Sequence, residues 1–506
     1  MAYTTINKST DYFNTSLYTG IGSSQSVNDS RKLNNSYKKI GSDTGSIESI
    51  AGLENYSTGT NGFYLQSPGG YDSGIQIDLG ASYTVQKIEW FSKADYGRFK
   101  YYKIKYSTDN NTYTEISDMT GSGIATGTNT NILTASNSNG MAIATFANKT
   151  ARYIQILFDD YHAGSNNNCK LAALGIFVDE LKQSFQPDWT WIKNRDQTDD
   201  HKMFDAVRGV TKVIKTNTSG AETTDSNTLT AFGTNGFTVG TDGGVNSSGE
   251  DLVAWNWKAG TGQGSSNTDG SINTAYTSVN TTAGFSISKY TGTGSNATVG
   301  HGLGSAPGLI IVKNLTTSGR NWQIFHHKNT ASPATQQLEF GSDATATVTT
   351  QWNSVMPTSS VFSIGTNDSI NKSGNGLIAY CFAEKKGFSK FGAFTGNGNA
   401  NGTFIYTGFK PAFYIIKRTD NTGSWIIKDT KRPGLNQNGT YLVADTTIAE
   451  ATGSGNLATD EYSNGFKMRG TSSAINEDGA TYIYLAFAEE PLIANSGSDG
   501  VPATAR

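Results

Sequence analysis

Two polar loops hold the residue types that recognise sugars. The loop KADYGRF (93–99) contains Tyr96 and Arg98, and the loop FDDYHAGSNNNCK (158–170) contains Asp160, Tyr161, His162, Asn166, Asn167 and Asn168. An aromatic ring stacks on the apolar face of a sugar, while amides, carboxylates and guanidinium groups bond its hydroxyls. Both loops must lie at one end of the same domain to act together. Ordinary polar turns are the alternative interpretation of each.

The sequence predicts no metal site and no cofactor. The five histidines are His162, His201, His301, His326 and His327, and none forms an HExxH, HxH or His/Cys cluster. Asp199-Asp200-His201 is expected to be a solvated turn. The glycine-rich strings at 291–307 and 395–404 resemble phosphate loops, but a strand rather than a helix follows each one. We therefore expect them to be turns.

Adjacent carboxylates do not form the pair that a polysaccharide hydrolase needs. The acidic pairs are Asp159-Asp160, Glu250-Asp251, Glu477-Asp478 and Glu489-Glu490. Neighbours on a strand point to opposite faces, whereas an acid and a base must flank one bond. The sequence therefore predicts no enzyme. Asp205 and Arg208 are expected to form a structural ion pair, with no matching arginine in the other two repeats described below.

The composition predicts an all-β protein. Gly is frequent, at 58 of 506 residues, and only 16% of residues are charged. Such a chain, rich in poor helix formers, favours strands joined by polar turns, and its 24 Tyr, 24 Phe and 8 Trp can fill several cores. The net charge of −3 argues against nucleic-acid binding. The sequence has no apolar stretch long enough for a membrane span and no visible signal peptide, so membrane insertion is not predicted. Cys169 and Cys381 are far apart in the chain and are not expected to form a disulfide.

One pattern occurs three times along the chain. It starts with an aromatic residue and Thr-Gly-x-Gly at Tyr18, Tyr290 and Phe394. An apolar run from Pro to Lys follows, as PDWTWIK (187–193), PGLIIVK (307–313) and PAFYIIK (411–417). Each copy then has a second strand, a Phe-led strand ending on Gly, and Asn-x-x-Gly with an aromatic residue eight positions later. The sequence therefore predicts three tandem β-sandwich repeats of a jelly-roll or lectin-like type.

The first repeat is interrupted by a domain-sized insertion. Sixteen residues separate Thr from Pro in the second and third copies, whereas residues 19 and 187 are separated by the length of a whole domain. The predicted domains are repeat 1 (1–22 plus 184–259), the insert (23–183), a linker strand with repeat 2 (260–386), repeat 3 (387–491) and a C-terminal tail (492–506).

The insert resembles the discoidin or coagulation-factor (F5/8) type C family. The stretches that carry this resemblance are IQIDLG (75–80), YKIKYSTDNNTYTEI (102–116) and ARYIQI (151–156). The resemblance implies a galactose-binding-like jelly roll of eight strands, in a family that usually binds glycans or membrane surfaces through loops at one end.

The repeated part resembles a domain of unknown function found in structural proteins of tailed, especially marine, bacteriophages. The residues that carry this are FQPDWTWIKNRDQTDDHKMFDAVRGVTK (185–212), FKPAFYIIKRTDNTGSW (409–425) and YIYLAFAEEP (482–491). It implies a virion protein, a tail fibre or host-attachment protein. Together with the loops of the insert, this predicts an adhesin for host-surface glycan or lipopolysaccharide, and the absence of a visible signal peptide predicts synthesis in the host cytoplasm. The expected partners are other virion proteins and further copies of the chain, as a trimer by analogy. The alternatives are a head or tail decoration protein and a polysaccharide-degrading tailspike.

Overall fold

The computed structural model describes residues 6, 8–27, 36–40, 63–66, 73–92, 98–119, 131–132, 140–162, 168–178, 185–341, 343–432, 436–453 and 455–491. In parts of residues 36–178 and at residues 490–491 it describes the backbone alone. The chain forms two compact units, one of residues 1–28 and 183–506 and the other of residues 29–182. Nearly all of the regular secondary structure in the described part is strand, which confirms the predicted all-β class.

The strands are numbered in chain order. The first unit begins with β1 (Phe13–Thr19) and β2 (Gln25–Val27). The second unit contains β3 (Ser36–Ile40), β4 (Phe63–Gln66), β5 (Ser73–Ser92), β6 (Arg98–Ser107), β7 (Thr114–Glu115), β8 (Asn131–Ile132), β9 (Gly140–His162) and β10 (Asn168–Val178). The first unit resumes with β11 (Trp189–Asn194), β12 (Lys202–Asp205), β13 (Lys212–Lys215), β14 (Thr223–Thr224), β15 (Leu229–Gly233), β16 (Gly236–Val239) and β17 (Asp251–Trp257).

The remaining strands complete the first unit. They are β18 (Tyr276–Asn280), β19 (Phe285–Thr291), β20 (Ala297–Gly300), β21 (Leu309–Asn314), β22 (Gln323–His326), β23 (Gln336–Gln337), β24 (Ala346–Thr347), β25 (Val361–Ile364), β26 (Gly376–Phe382), β27 (Ser389–Thr395), β28 (Phe404–Tyr406), β29 (Phe409–Arg418), β30 (Ile426–Asp429), β31 (Leu442–Val443), β32 (Thr459–Tyr462), β33 (Gly465–Met468) and β34 (Thr481–Pro491). Two one-turn helices, α1 (Gly243–Asn246) and α2 (Asp368–Asn371), precede β17 and β26. Short 3-10 turns lie at Ser9–Asp11, Pro333–Thr335 and Gly455–Leu457.

Three pairs of antiparallel sheets with related strand order, together with the small sheet β23-β24, make up the first unit. Pair 1 has sheets β1-β17-β11-β12-β13-β14 and β15-β16-β2, pair 2 has β18-β19-β26-β21-β22 and β20-β25, and pair 3 has β27-β34-β29-β30-β31 and β28-β33-β32. Strand β1 supplies the edge of pair 1, in register with β17 from Phe13↔Trp257 to Thr19↔Asp251. The division into compact units does not separate the three pairs from one another, so the boundaries at 259/260 and 386/387 stay predictions.

Each large sheet is buried on both faces. In β21, Leu309 and Ile311 pack into a core cluster shared by all three pairs, while Ile310 and Val312 pack inside pair 2. In β11, Trp189 and Trp191 likewise face the shared cluster. Successive side chains on a strand alternate between faces, so double burial requires a continuous apolar run. This explains the Pro-to-Lys runs of the sequence.

Equivalent contacts join the three pairs into a closed ring. The backbone N–H of Glu222 in pair 1 donates to Leu315 O in pair 2 at 3.0 Å, and Thr345 N–H in pair 2 donates to Thr419 O in pair 3 at 2.9 Å. The third bond, from Glu450 N–H in pair 3 to Arg195 O in pair 1, is 2.7 Å long and closes the circle. The three acceptors each lie two residues after the Lys that ends the apolar run.

Aromatic side chains cover the inside of this ring. Trp189 lies 5.9 Å from Phe285 between ring centroids, Phe382 lies 5.5 Å from Phe487, and Trp255 lies 5.2 Å from Phe413, so each pair contacts both others. The three predicted repeats therefore share one aromatic core.

One asparagine per pair explains two of the repeated sequence patterns. Asn371 Oδ1 accepts the N–H of Thr293 at 2.8 Å, and its Nδ2 donates to Ser295 O at 2.6 Å and Gly365 O at 2.7 Å. Asn246 and Asn476 make the matching bonds in pairs 1 and 3. A Cβ on Gly292 would lie 2.3 Å from Lys372 O, so this turn requires glycine. The glycine-rich string at 395–404 is mostly a turn, as predicted, whereas the string at 291–307 has two turns with the strand β20 between them.

The second unit has its strands in the order β4-β10-β5-β9-β6-β7, with β3 on β5 and β8 on β6. The sequence predicts separate strands at 73–80 and 84–92, and at 141–147 and 151–160, but β5 and β9 each run through both. Their pairing shifts register between Asp78 and Tyr83, where Arg152 Nε donates to Asp78 Oδ1 at 3.0 Å. The two halves of each long strand thereby pair in different registers around one core that includes Ile77, Ile104 and Ile156.

Candidate functional site

Described residues that flank the two polar loops lie at one end of the second unit. β6 starts at Arg98 and β9 ends at His162, and these two residues are direct partners in the antiparallel register. Residues 93–97 and 163–167 are joined to these strand ends. Asn168 starts β10 and pairs with Gln66, the last residue of β4. The residues that flank both polar loops therefore lie at the same end of the sheet.

The structure places the individual site residues to different extents. Arg98, Asp160, Tyr161, His162 and Asn168 lie in described strands, where the backbone position is known. Tyr96, Asn166 and Asn167 lie outside the described residues. In the backbone register of β9, Tyr161 pairs with Phe99 of β6, next to the Arg98–His162 pair. The proposed roles of all eight residues stay predictions.

The opposite end of the second unit is a hydrogen-bonded hairpin. Asp109 Oδ1 accepts the N–H groups of Asn111 and Thr112, both at 2.9 Å, and these bonds lower the pKa of Asp109 to about 2. Tyr113 Oη donates to Asn110 Oδ1 at 2.6 Å. The polar side chains of this hairpin bond its own backbone and one another, which is the behaviour expected of a structural turn.

His201 is not a solvated residue, which corrects the prediction. It is fully buried, and its Nδ1 accepts the indole N–H of Trp191 at 2.9 Å. Burial lowers the pKa of His201 to about 3, against a smaller opposing effect of the Val443 backbone in pair 3. Its place before β12 matches that of Trp322 before β22 and Trp425 before β30. Those two indoles donate across the ring, to Lys215 O at 2.7 Å and Glu339 O at 2.8 Å.

The predicted ion pair of Asp205 and Arg208 is confirmed. Both side chains are fully buried, and Arg208 Nε donates to Asp205 Oδ2. The expectation that the other repeats lack this arginine is wrong for pair 3, where Arg432 Nε donates to Asp429 Oδ2 at 2.5 Å with the same spacing. Asp205 also accepts from Tyr380 Oη in pair 2, and Asp429 from Trp255 Nε1 in pair 1. Both ion pairs therefore belong to the ring interfaces.

One member of each acidic pair in the first unit binds a partner outside the pair. Glu250 accepts from Asn194 Nδ2 at 2.5 Å, Glu477 accepts from Arg418, and Glu489 lies 3.2 Å from Lys410 Nζ. The side chains of Asp159 and Asp160 lie outside the described part. Among the described residues, no three His, Cys, Asp or Glu side chains come together as a metal site. No described helix has the length and apolar character to cross a membrane.

The lysines that end the three apolar runs are buried, and the sequence pattern alone does not indicate what they bind. Lys193 Nζ donates to Gln197 O at 2.7 Å, Lys313 Nζ to Arg320 O at 2.6 Å, and Lys417 Nζ to Gly423 O. Each lysine ends an apolar run and holds the loop that follows it. Burial lowers the pKa of each to about 8.

Comparisons with known proteins agree with this two-part organisation. The F5/8 type C domain family matches residues 42–173. Among solved structures, the chain is similar to CBM32-1 from a family 31 glycoside hydrolase of Clostridium perfringens, at 18% identity over 29% of this chain and 98% of that one, with a TM-score of 0.23. It is also similar to chitosan-binding module 1 from a chitosanase/glucanase of Paenibacillus sp. IK-5, at 19% identity over 29% and 96% with a TM-score of 0.21.

A third similar structure is a family 32 CBM of C. perfringens in complex with galactose, at 12% identity over 28% of this chain and 93% of that one, with a TM-score of 0.21. A search of the curated proteins finds no significant match. A family described as a domain of unknown function (DUF7483) matches residues 178–491, which span β11 to β34 and include pairs 2 and 3 and all of pair 1 except β1 and β2. Because this match covers more than half of the chain, the protein belongs to the DUF7483 family.

Proposed function

We propose that the chain is a non-enzymatic bacteriophage virion protein, a tail fibre or adhesin, that attaches to glycans of the host surface. The observation that carries the glycan-binding part is the pairing of Arg98 with His162, which brings the flanks of both sugar-type loops to one end of the second unit. That unit contains the F5/8 type C match. The virion part rests on the resemblance of the repeated sequence to bacteriophage structural proteins.

The proposed site combines an aromatic plate with polar side chains. Tyr96 and Tyr161 would stack on a sugar face, while Arg98, Asp160 and the amides of Asn166, Asn167 and Asn168 would bond hydroxyls. A single shallow sugar site binds weakly. Several copies on one particle raise the avidity by a factor of about 10² to 10⁴, which we propose as the reason for a homo-oligomer, a trimer by analogy.

A glycan array with the full chain tests this proposal. We expect binding to host-surface glycans or lipopolysaccharide, and a loss of at least about tenfold in affinity for Tyr96→Ala and for Arg98→Ala, because each removes a direct contact. The matched control is Asn111→Ala, in the hairpin at the opposite end of the same unit, which should bind like the wild type. Equal binding by all four proteins would reject the site.

Two alternatives predict different outcomes for intact particles. A decoration protein of the head or tail would be labelled away from the fibres by antibody against residues 23–183, seen by immunogold electron microscopy, and deletion of those residues would leave adsorption unchanged. A polysaccharide-degrading tailspike would release reducing ends from purified capsule or lipopolysaccharide. The proposal requires label at the tail tip or fibres and no such release.

A further inference from the structure

Sheet pair 3 contains a polar cluster in the place where pairs 1 and 2 are apolar. Lys428 in β30 is fully buried, and its equivalents before Asp205 and His326 are the buried Phe204 and Phe325. Lys428 Nζ donates to the backbone oxygen of Asn438 at 2.8 Å. A buried ammonium group is costly, and the other two pairs show that this position does not need one.

The side chain of Asn438 is held by groups that activate an amide. Its Nδ2 donates to Glu461 Oε1 at 2.9 Å, and its Oδ1 accepts the backbone N–H of Thr440 at 3.1 Å. Both Asn438 and Glu461 are buried. A donor on the amide oxygen stabilises negative charge that develops there, and an acid on the amide nitrogen can protonate a leaving group.

The carboxyl of Glu461 is fixed in this position by two further bonds. Tyr414 Oη donates to Glu461 Oε1 at 2.5 Å, and Thr459 Oγ1 donates to the same oxygen at 3.2 Å. Tyr414 stacks on Phe466, with 4.2 Å between ring centroids, which closes the cluster on its apolar side. Burial raises the pKa of Glu461 and lowers that of Lys428. Burial thus favours the neutral amine and the protonated acid.

We propose that Lys428 and Asn438 form an intramolecular isopeptide bond, with Glu461 as the catalytic acid and base. Lys428 Nζ, as the free amine, attacks Asn438 Cγ and forms the Nζ–Cγ bond, while negative charge on Oδ1 is stabilised by the Thr440 N–H. Glu461 gives its proton to Nδ2 and takes one from Nζ. The Cγ–Nδ2 bond then breaks and ammonia leaves. The reaction needs no oxidant or other reactant.

The intact mass of the full chain tests the proposal. We expect the wild type, stored until its mass is constant, to be lighter than its sequence by about 17 Da, the mass of one ammonia. After trypsin, the peptide that ends at Lys431 should remain joined to the peptide that contains Asn438. Lys428→Met and Glu461→Gln should each have the full mass of their own sequences, whereas the control Glu477→Gln should lose ammonia like the wild type.

Two results would overturn the inference. The first is a wild-type mass equal to that of the sequence, which decides the matter even if the variants do not fold. The second is ammonia loss that persists in Lys428→Met, because Asn438-Gly439 can also lose ammonia by forming a succinimide with its own backbone. A succinimide requires no lysine and joins no two tryptic peptides, so peptide mapping separates the two products.

Discussion

Lys193, Lys313 and Lys417 give the molecule a pH response at the scale of single residues. Their pKa of about 8 in the folded chain lies below the ordinary value of about 10.4 in an unfolded one. Between these values the unfolded chain binds more protons, so the free energy of unfolding rises with pH. The effect begins near pH 8, and above about pH 10 the buried tyrosines oppose it, because their raised pKa values keep them protonated only in the folded state.

We predict that Lys313→Met removes part of this response. Urea unfolding at pH 8 to 10 should show the wild type gaining up to about 1.4 kcal/mol per pH unit relative to the variant. The exposed Lys328→Met is the control and should follow the wild type. Parallel pH profiles for wild type and Lys313→Met would show that Lys313 titrates normally.

The burial of His201 could not be predicted from the residues next to it in the sequence. The two aspartates before it favour a solvated turn, yet its ring fills the place that Trp322 and Trp425 fill in the other pairs. Aligning the residue before the second strand of each copy would have indicated burial. The eight proposed sugar-site residues could be named from their chemistry alone, but the partnership of Arg98 and His162 depends on a register that no local pattern contains.

At the scale of the element, β21 packs against a different hydrophobic core on each of its two faces. Ile310 faces the interior of pair 2 and Ile311 faces the shared core, and both are buried. We predict that Ile310→Ala and Ile311→Ala each lower the free energy of unfolding by about 2–5 kcal/mol. Thr238→Ala, on the outer side of β16, is the control and should change it by at most about 0.5 kcal/mol. A small effect at Ile311 alone would mean that the ring-facing side is not packed.

The same runs show how far sequence predicts the elements. Pro-led apolar segments predict strands, and the spacing of Gly and Asn predicts the turns between them. A continuous run does not tell which neighbour covers each face, because burial on both sides removes the polar alternation. The sandwich within each pair was therefore predictable, whereas the packing of its large sheet against the other two was not.

At the scale of the whole molecule, the closed ring makes the three pairs mutually dependent. Trp189 in pair 1 contacts Phe285 and Tyr380 of pair 2 within one aromatic core. We predict that Trp189→Ala, at a cost of about 3–5 kcal/mol, speeds hydrogen exchange in β29 and β34 of pair 3 as much as in β11. Val355→Ser at an exposed turn should leave all three unchanged. Faster exchange confined to pair 1 would show that the pairs unfold separately.

The pairing of β1 with β17 also means that β1 is synthesised long before the strand it pairs with. Ser16 and Asn256, hydrogen bonded in the finished sheet, are 240 residues apart in the chain. At about 5–20 residues per second, β1 waits roughly 10–50 s for its partner. The second unit, residues 29–182, emerges complete in that interval. The second unit is thus available to fold before the first unit is complete. During this time β1, the first strand of the first unit, remains an unpaired edge that chaperones and neighbouring nascent chains can reach.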